Sequence, residues 1–385
     1  MKARLPMQKK SKKRIHWPQV LMVLGFMAIG GVCGLLIVRF MDRTVNTDTG
    51  AGTELFLFAA LILAMYAGLL LQIILHEAGH LIFGLLSGYR FSSFRIFNLM
   101  LILDNGKLRC KRFSLAGTGG QCLMAPPTPD ADGNFPFVLY NLGGSLMNLL
   151  TALLFLPLAL CVWQQPLAST LLLMLGVIGF AFALLNGLPL RLSAVDNDGR
   201  NIFSIRENPR ARRAFWIQMA VNEQIARGVA LQDMPEEWFA LPAEEEMQNS
   251  MTATIAVLTA NRLMAQNRLT EADVLMARLL AGSNAIVGLH RWLLLCDRIT
   301  CEALGENRTE VIQRLATKDL QKFMKSMKTF PSVLRTQYIL ALRHERNAAK
   351  AAKLQQQFEK IAKTYPYPAD LAADRALMDQ AATLQ

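Results

Sequence analysis

The stretch of sequence that decides the fold is residues 55–86, LFLFAALILAMYAGLLLQIILHEAGHLIFGLL. About 20 apolar helical residues cross the hydrocarbon core of a bilayer, so this run predicts a membrane-spanning helix. Three further apolar runs, at 20–38, 137–162 and 167–190, have the same character. The composition agrees, with 52% hydrophobic and only 18% charged residues, against about 25% charged in ordinary soluble domains. A simple soluble enzyme is therefore excluded, and a polytopic bundle of about four spans is predicted.

Two clusters of Lys and Arg set the predicted orientation, one within residues 1–19 and one between Arg90 and Arg112. Cytoplasmic loops carry an excess of basic residues, and both clusters fall on one side of a four-span arrangement. We therefore expect both termini in the cytoplasm of a multi-pass protein, in a bacterial cytoplasmic membrane. The net charge of +12 would also suit nucleic acid, but basic runs beside apolar segments favour the lipid bilayer as partner and no nucleic acid.

The fold class predicted is mostly α, with two further features beside the spans. Asn105-Gly106 lies between two alternating apolar stretches, which predicts a β-hairpin in the cytoplasmic loop. After Arg200 the sequence is polar with helical periodicity, and turn signals near 267, 307 and 346 recur about every 40 residues, which is typical of helical hairpins. A true repeat array and an irregular bundle both remain open. The predicted units are a basic tail (1–19), a first transmembrane anchor (20–40), a core (55–200, with a β-rich inner loop at 87–136), an amphipathic linker (201–250) and a soluble all-α domain (251–385).

The motif His76-Glu77-Ala78-Gly79-His80 carries the predicted chemistry. On a helix the two histidines lie one turn apart on one face, so both imidazoles can bind one Zn²⁺ while Glu77 activates water as general base. The alternative is a pair of structural histidines with an accidental glutamate. Ionisable residues inside an apolar helix are costly and by default functional, which favours the metal site.

A catalytic zinc usually has three protein ligands, so a third must come from elsewhere. The fourth apolar run ends in Asn186-Gly-Leu-Pro-Leu and is followed by Asp196-Asn-Asp198-Gly199. The second and fourth spans run in the same direction, so these aspartates lie on the same membrane face as HEAGH. The alternative is that both aspartates merely end the helix as turn residues.

HExxH in one span, Gly144-Ser-Leu-Met-Asn148 in a later one, and Asn-x-x-Pro followed by Asp-Gly together resemble the site-2 protease family of intramembrane zinc metalloproteases. The resemblance covers roughly residues 55–199. It implies one Zn²⁺ per chain held by His76, His80 and Asp198, with Glu77 as general base. It also implies that Asn148 and Asn186 help to position the substrate, which the inner hairpin presents as an added strand. The substrate class would be membrane-spanning or signal-peptide-derived peptides.

Two departures from the family pattern keep alternatives open. Ser145 stands where the family has proline, and the interval between Asn-x-x-Pro and Asp-Gly is longer than its commonest form. Asp196 is therefore an alternative third ligand, or a hydrogen-bond acceptor for one of the imidazoles. The competing function is a membrane-anchored helical scaffold with a structural or vestigial zinc site. In either case the C-terminal helical domain is expected to receive a protein partner.

Overall fold

The computed structural model describes residues 17–46, 49–104, 106–115, 118–190 and 196–384. Four of its helices are long and apolar enough to cross a membrane, as predicted from the four apolar runs. They are α1 (Trp17–Thr44), α2 (Ala51–Leu86), α3 (Val138–Cys161) and α4 (Pro166–Gly187). Large apolar side chains such as Leu55, Phe56 and Leu63 on α2 are exposed. Such an apolar surface is suited to contact with lipid. A helix is stable in that setting because it satisfies its own backbone hydrogen bonds.

Helices α2 and α3 make backbone contact at a pair of glycines. A Cβ atom on Gly79 would lie 2.2 Å from the carbonyl oxygen of Gly143, and one on Gly143 would lie 2.6 Å from that of Gly79. Small residues allow such close approach between helices in a membrane. This contact joins α3 to α2 at the HEAGH motif, and helix α4 packs in turn against α3.

The loop between α2 and α3 forms an antiparallel sheet of order β3-β2-β1-β4. Its strands are β1 (Arg90–Ile96), β2 (Leu99–Asp104), β3 (Lys107–Arg112) and β4 (Gly120–Ala125). The predicted hairpin is β2–β3, closed by the pairing of Asp104 with Lys107, while Asn105 of its turn lies outside the described residues. Strands β1 and β4 pair directly with each other, although the β2–β3 hairpin separates them in sequence. This pairing places Gly120 against Glu77.

Beyond α4, residues 201–250 are packed rather than extended. They include most of α5 (Asp198–Ile205), all of α6 (Pro209–Ala226) and three short 3-10 turns. Phe215 of α6 shares an apolar core with Met124 of β4 and with Met251 at the start of the next helix. The segment interpreted from sequence as a linker thus joins the sheet to the C-terminal helices.

The C-terminal part is all-helical. It contains α7 (Ser250–Ala265), α8 (Leu269–Ala281), α9 (Gly288–Leu304), α10 (Thr309–Leu315), α11 (Lys318–Ser326), α12 (Pro331–Ile339), α13 (Ala348–Ala362) and α14 (Pro368–Thr383). Asn267, Asn307 and Arg346 have left-handed backbone conformations, with φ of 57°, 54° and 51°. The three predicted turn positions are therefore helix–helix turns in the structure.

Candidate metal centre

His76 and His80 project from one face of α2 with their ligand atoms together. Their Nε2 atoms lie 3.2 Å apart. The Nδ1 atom of His76 is 2.7 Å from Oδ1 of Asn148, and that of His80 is 2.7 Å from the carbonyl oxygen of Tyr140. Both partners are acceptors, so each ring carries its proton on Nδ1 and keeps the Nε2 lone pair for a metal.

Asp198, the first residue of α5, completes a group of three. Its Oδ2 atom is 3.1 Å from Nε2 of His76 and 3.4 Å from Nε2 of His80. Tetrahedral ligands with metal–ligand bonds of about 2.0–2.1 Å are separated by about 3.3 Å, which matches these distances. The same oxygen is buried, and no hydrogen-bond donor reaches it from any residue that the structure describes. The donor set of two imidazoles and one carboxylate suits Zn²⁺.

Burial and charge act in opposite directions on Asp198. Burial disfavours its ionised form, whereas positive charge on His80 and His76 lowers the pKa of the carboxyl when these imidazoles are protonated. The ionised carboxylate is the form that binds metal.

Asn197 fixes the position of Asp198. Its Oδ1 accepts hydrogen bonds from the backbone N–H of Leu190 and of Arg200, both at 3.0 Å. Its Nδ2 donates to the carbonyl oxygens of Leu185 and Leu188. One side chain thereby caps α5 and ties it to the end of α4. Sequence reasoning missed this residue, although an asparagine immediately before a helix is a typical N-cap signal.

Glu77 lies beside the cluster and is buried, with 8% of its surface exposed. Strand β4 covers it so closely that a Cβ atom on Gly120 would lie 2.5 Å from its Oε1. On helix α3, a Cβ atom on Gly144 would lie 2.5 Å from Nε2 of His76. The two glycines leave space for a carboxylate and an imidazole where any larger residue would intrude.

Asp196 faces the C-terminal helices. Its Oδ2 accepts a hydrogen bond of 2.7 Å from the hydroxyl of Ser250, at the start of α7. In the described part of the chain, the group of three potential ligands within 4.8 Å of one another contains Asp198 and not Asp196. The geometry thus favours Asp198 between the two aspartates considered from sequence.

The two asparagines that the resemblance implicates in substrate positioning occupy different settings. Asn148 is fully buried; besides its contact with His76, its Nδ2 donates to the carbonyl oxygen and to Oε1 of Gln72, at 2.9 and 2.7 Å. Asn186 donates to the carbonyl oxygen of Phe182 in its own helix. Sequence reasoning also missed Gln72, whose signal was a polar side chain in an apolar span.

Comparison of the chain with protein-family models, curated proteins and solved structures gives no match. Chemically, the three side chains can hold one divalent ion and leave a fourth position for water, with a carboxylate adjacent. The ligands lie on the apolar helix α2 and on α5, and α3 contacts both imidazoles through Asn148 and Tyr140.

Proposed function

We propose that the chain is an intramembrane zinc endopeptidase of the site-2 protease type. The observation that carries the proposal is the spacing of 3.1–3.4 Å among the ligand atoms of His76, His80 and Asp198, beside the buried Glu77. A structural zinc site needs the ligands but has no use for a carboxylate next to them. The substrates would be membrane-embedded peptides or signal-peptide remnants, hydrolysed on the cytoplasmic side.

When bound, Zn²⁺ would act as a Lewis acid on the scissile carbonyl and lower the pKa of its coordinated water. Glu77 then accepts the proton of the attacking water and delivers it to the leaving amine. Asn148 and the carbonyl of Tyr140 hold the two imidazoles in one tautomer and orientation. Asn197 holds Asp198 in place through its hydrogen bonds to Leu190 and to Leu185 of α4.

The strand that meets the site is β4, not the predicted hairpin. A transmembrane substrate must unwind before hydrolysis, and an exposed strand edge can supply partners for its freed backbone. Strand β4 pairs with β1 on one side, and its Gly120 covers Glu77. The hydroxyl of Tyr140 and the guanidinium of Arg95 already donate to the carbonyls of Cys122 and Gly120. We therefore infer that β4 would receive the substrate by exchanging these side-chain hydrogen bonds for backbone ones.

Replacement of Glu77 by Gln tests the proposal, with Glu54→Gln on the same helix as matched control. Cells expressing the wild type, either variant or no protein are compared for membrane peptides, and zinc is measured in each purified protein. Glu77→Gln should keep zinc and accumulate a peptide that the wild type and Glu54→Gln remove. If the peptide profile does not distinguish Glu77→Gln from the wild type while zinc is retained, the site is not proteolytic and the scaffold function takes its place.

A further inference from the structure

A cavity of about 270 Å³ lies among the C-terminal helices, apart from the metal centre. Helices α7, α9, α12 and α14 contribute to its wall, together with residues 230–232 after α6. Much of the lining is apolar, including Val257, Leu293 and Leu294. The volume is just below the range of about 300–1,000 Å³ found for sites of small organic ligands.

Three carboxylates and one guanidinium line this cavity. Arg335 is buried and pairs with both Asp374, at 2.9 Å, and Asp297. The third carboxylate, Asp370, precedes Asp374 by one turn of α14. It has no hydrogen bond or ion pair with any residue that the structure describes. With Arg335 shared between two aspartates, the cavity has an excess of negative charge.

Two polar groups in the cavity are left without a protein partner. Burial, and to a lesser extent the charge of Asp374, raises the pKa of Asp370 to about 7. Burial also lowers the pKa of His290 to about 4, so its imidazole is neutral near pH 7. Its Nδ1 atom is buried and has no hydrogen-bond partner in the described part of the chain. Asp370 is half-buried, whereas an unpartnered buried atom such as Nδ1 of His290 is rare, because it loses its hydration without compensation.

We infer that this cavity binds a protonated alkylamine, with the ammonium group on Asp370 and the aliphatic chain along Val257, Leu293 and Leu294. An ammonium group supplies both the missing positive charge and hydrogen-bond donors, one of which the imidazole of His290 can accept. A metal ion suits the cavity less well, because two of its carboxylates are already paired with Arg335. Among described residues, the group of three metal-ligating atoms found within 4.8 Å is the one at His76, His80 and Asp198.

The alkylamine could be a free small molecule or the lysine side chain of a protein partner. Tyr365, which lines the cavity, packs against Phe113 just after β3, with ring centroids 5.8 Å apart. An occupant that contacts Tyr365 would therefore be separated from Phe113, the residue that follows β3, by this one side chain. Binding there requires neither zinc nor proteolysis, so its test is independent of the function proposed above.

Equilibrium dialysis of the detergent-solubilised full chain against two labelled probes tests the inference. The probes are n-butylamine, for the free amine, and N-acetyl-lysine methylamide, for a peptide lysine; n-butanol serves as the uncharged control. Asp370→Asn keeps the shape of the side chain and removes its charge. Asp379→Asn removes a charge from an exposed position of the same helix that does not line this cavity.

We expect saturable binding of at least one amine by the wild type and by Asp379→Asn, and binding about 10-fold weaker or more by Asp370→Asn. Tighter binding of the lysine derivative would indicate a protein partner, and tighter binding of butylamine a free amine. The wild type should also bind the amine more tightly at pH 8 than at pH 6, because Asp370 ionises between these values. The charged or titratable groups that line the cavity with it include Asp374, Asp297, His290 and Arg335. Equal binding by Asp370→Asn and the wild type would overturn the inference, as would the absence of saturable amine binding or equal binding of n-butanol.

Discussion

Gly144→Ala is expected to weaken zinc binding although Gly144 is not a ligand. A methyl group at this position of α3 would lie 2.4 Å from Cε1, 2.5 Å from Nε2 and 2.6 Å from Cδ2 of His76. Carbon contacts are favourable at about 3.5–4.0 Å, so the imidazole must move by about 1 Å. The hydrogen bond from Nδ1 to Asn148 holds the ring on its other side. The ring therefore cannot move away without losing that contact.

The displaced atom, Nε2 of His76, is the atom that would bind the metal. Loss of a partner that merely orients a ligand weakens metal binding by about 10- to 100-fold, and Gly144→Ala disturbs the ligand itself. A displacement of about 1 Å at a reacting centre also reduces turnover by about 100-fold. We therefore expect zinc affinity at least about 10-fold lower. Alanine favours helix more than glycine does, so lower helix propensity cannot cause the loss.

The assay is zinc stoichiometry by atomic absorption, followed by competition with a chelator of known affinity. Gly30→Ala on α1 is the matched control, because no heavy atom lies within 4 Å of a Cβ placed there. Circular dichroism checks that both variants keep the helical content of the wild type. If Gly144→Ala folds and binds zinc as tightly as the wild type does, His76 is not a ligand in this geometry.

Three further predictions, on four substitutions, follow from the described contacts. Asp198→Ala should purify nearly free of zinc, whereas Asp196→Ala, which removes the acceptor of the Ser250 hydroxyl, should retain it; metal analysis of both variants reveals any reversal. Arg335→Met leaves two buried carboxylates without a partner and should lower stability by about 3–5 kcal/mol, seen as a lower Tm than the wild type. Asp370→Asn should stabilise the protein at pH 8 but not at pH 4. The folded-state pKa of about 7 exceeds the ordinary 3.8, so ionisation of Asp370 weakens the fold progressively between these values, on the order of 1–4 kcal/mol in all. Equal Tm differences at the two pH values would contradict this.

The features predictable from sequence are those with local signals. The four spans follow from apolar length, and the hairpin follows from the alternation of residues around Asn105-Gly106. Strand β1 gave no such signal, because its buried residues are Ser92, Ser93 and Arg95. The two Nη groups of Arg95 donate to Thr118 and to the carbonyls of Phe97 and Gly120. Those partners are supplied only by the folded sheet, so periodicity of hydrophobic residues cannot reveal the strand.

The same distinction applies to the metal centre. His76, Glu77 and His80 are recognisable because one helical turn brings them together. For the third ligand, the sequence left two candidates, Asp196 and Asp198, both after the fourth apolar run. The structure favours Asp198 through Asn197, whose four hydrogen bonds join the start of α5 to the end of α4 and to Leu190.

Asn148 illustrates how burial limits the roles open to a residue. Its side chain is fully buried and uses both ends of the amide, one toward His76 and the other toward Gln72. A substrate could engage that amide only if one of these contacts were released. In an apolar bundle such a release leaves a polar group without water to replace the partner. These contacts therefore favour Asn148 as the residue that orients His76 rather than as one that contacts the substrate.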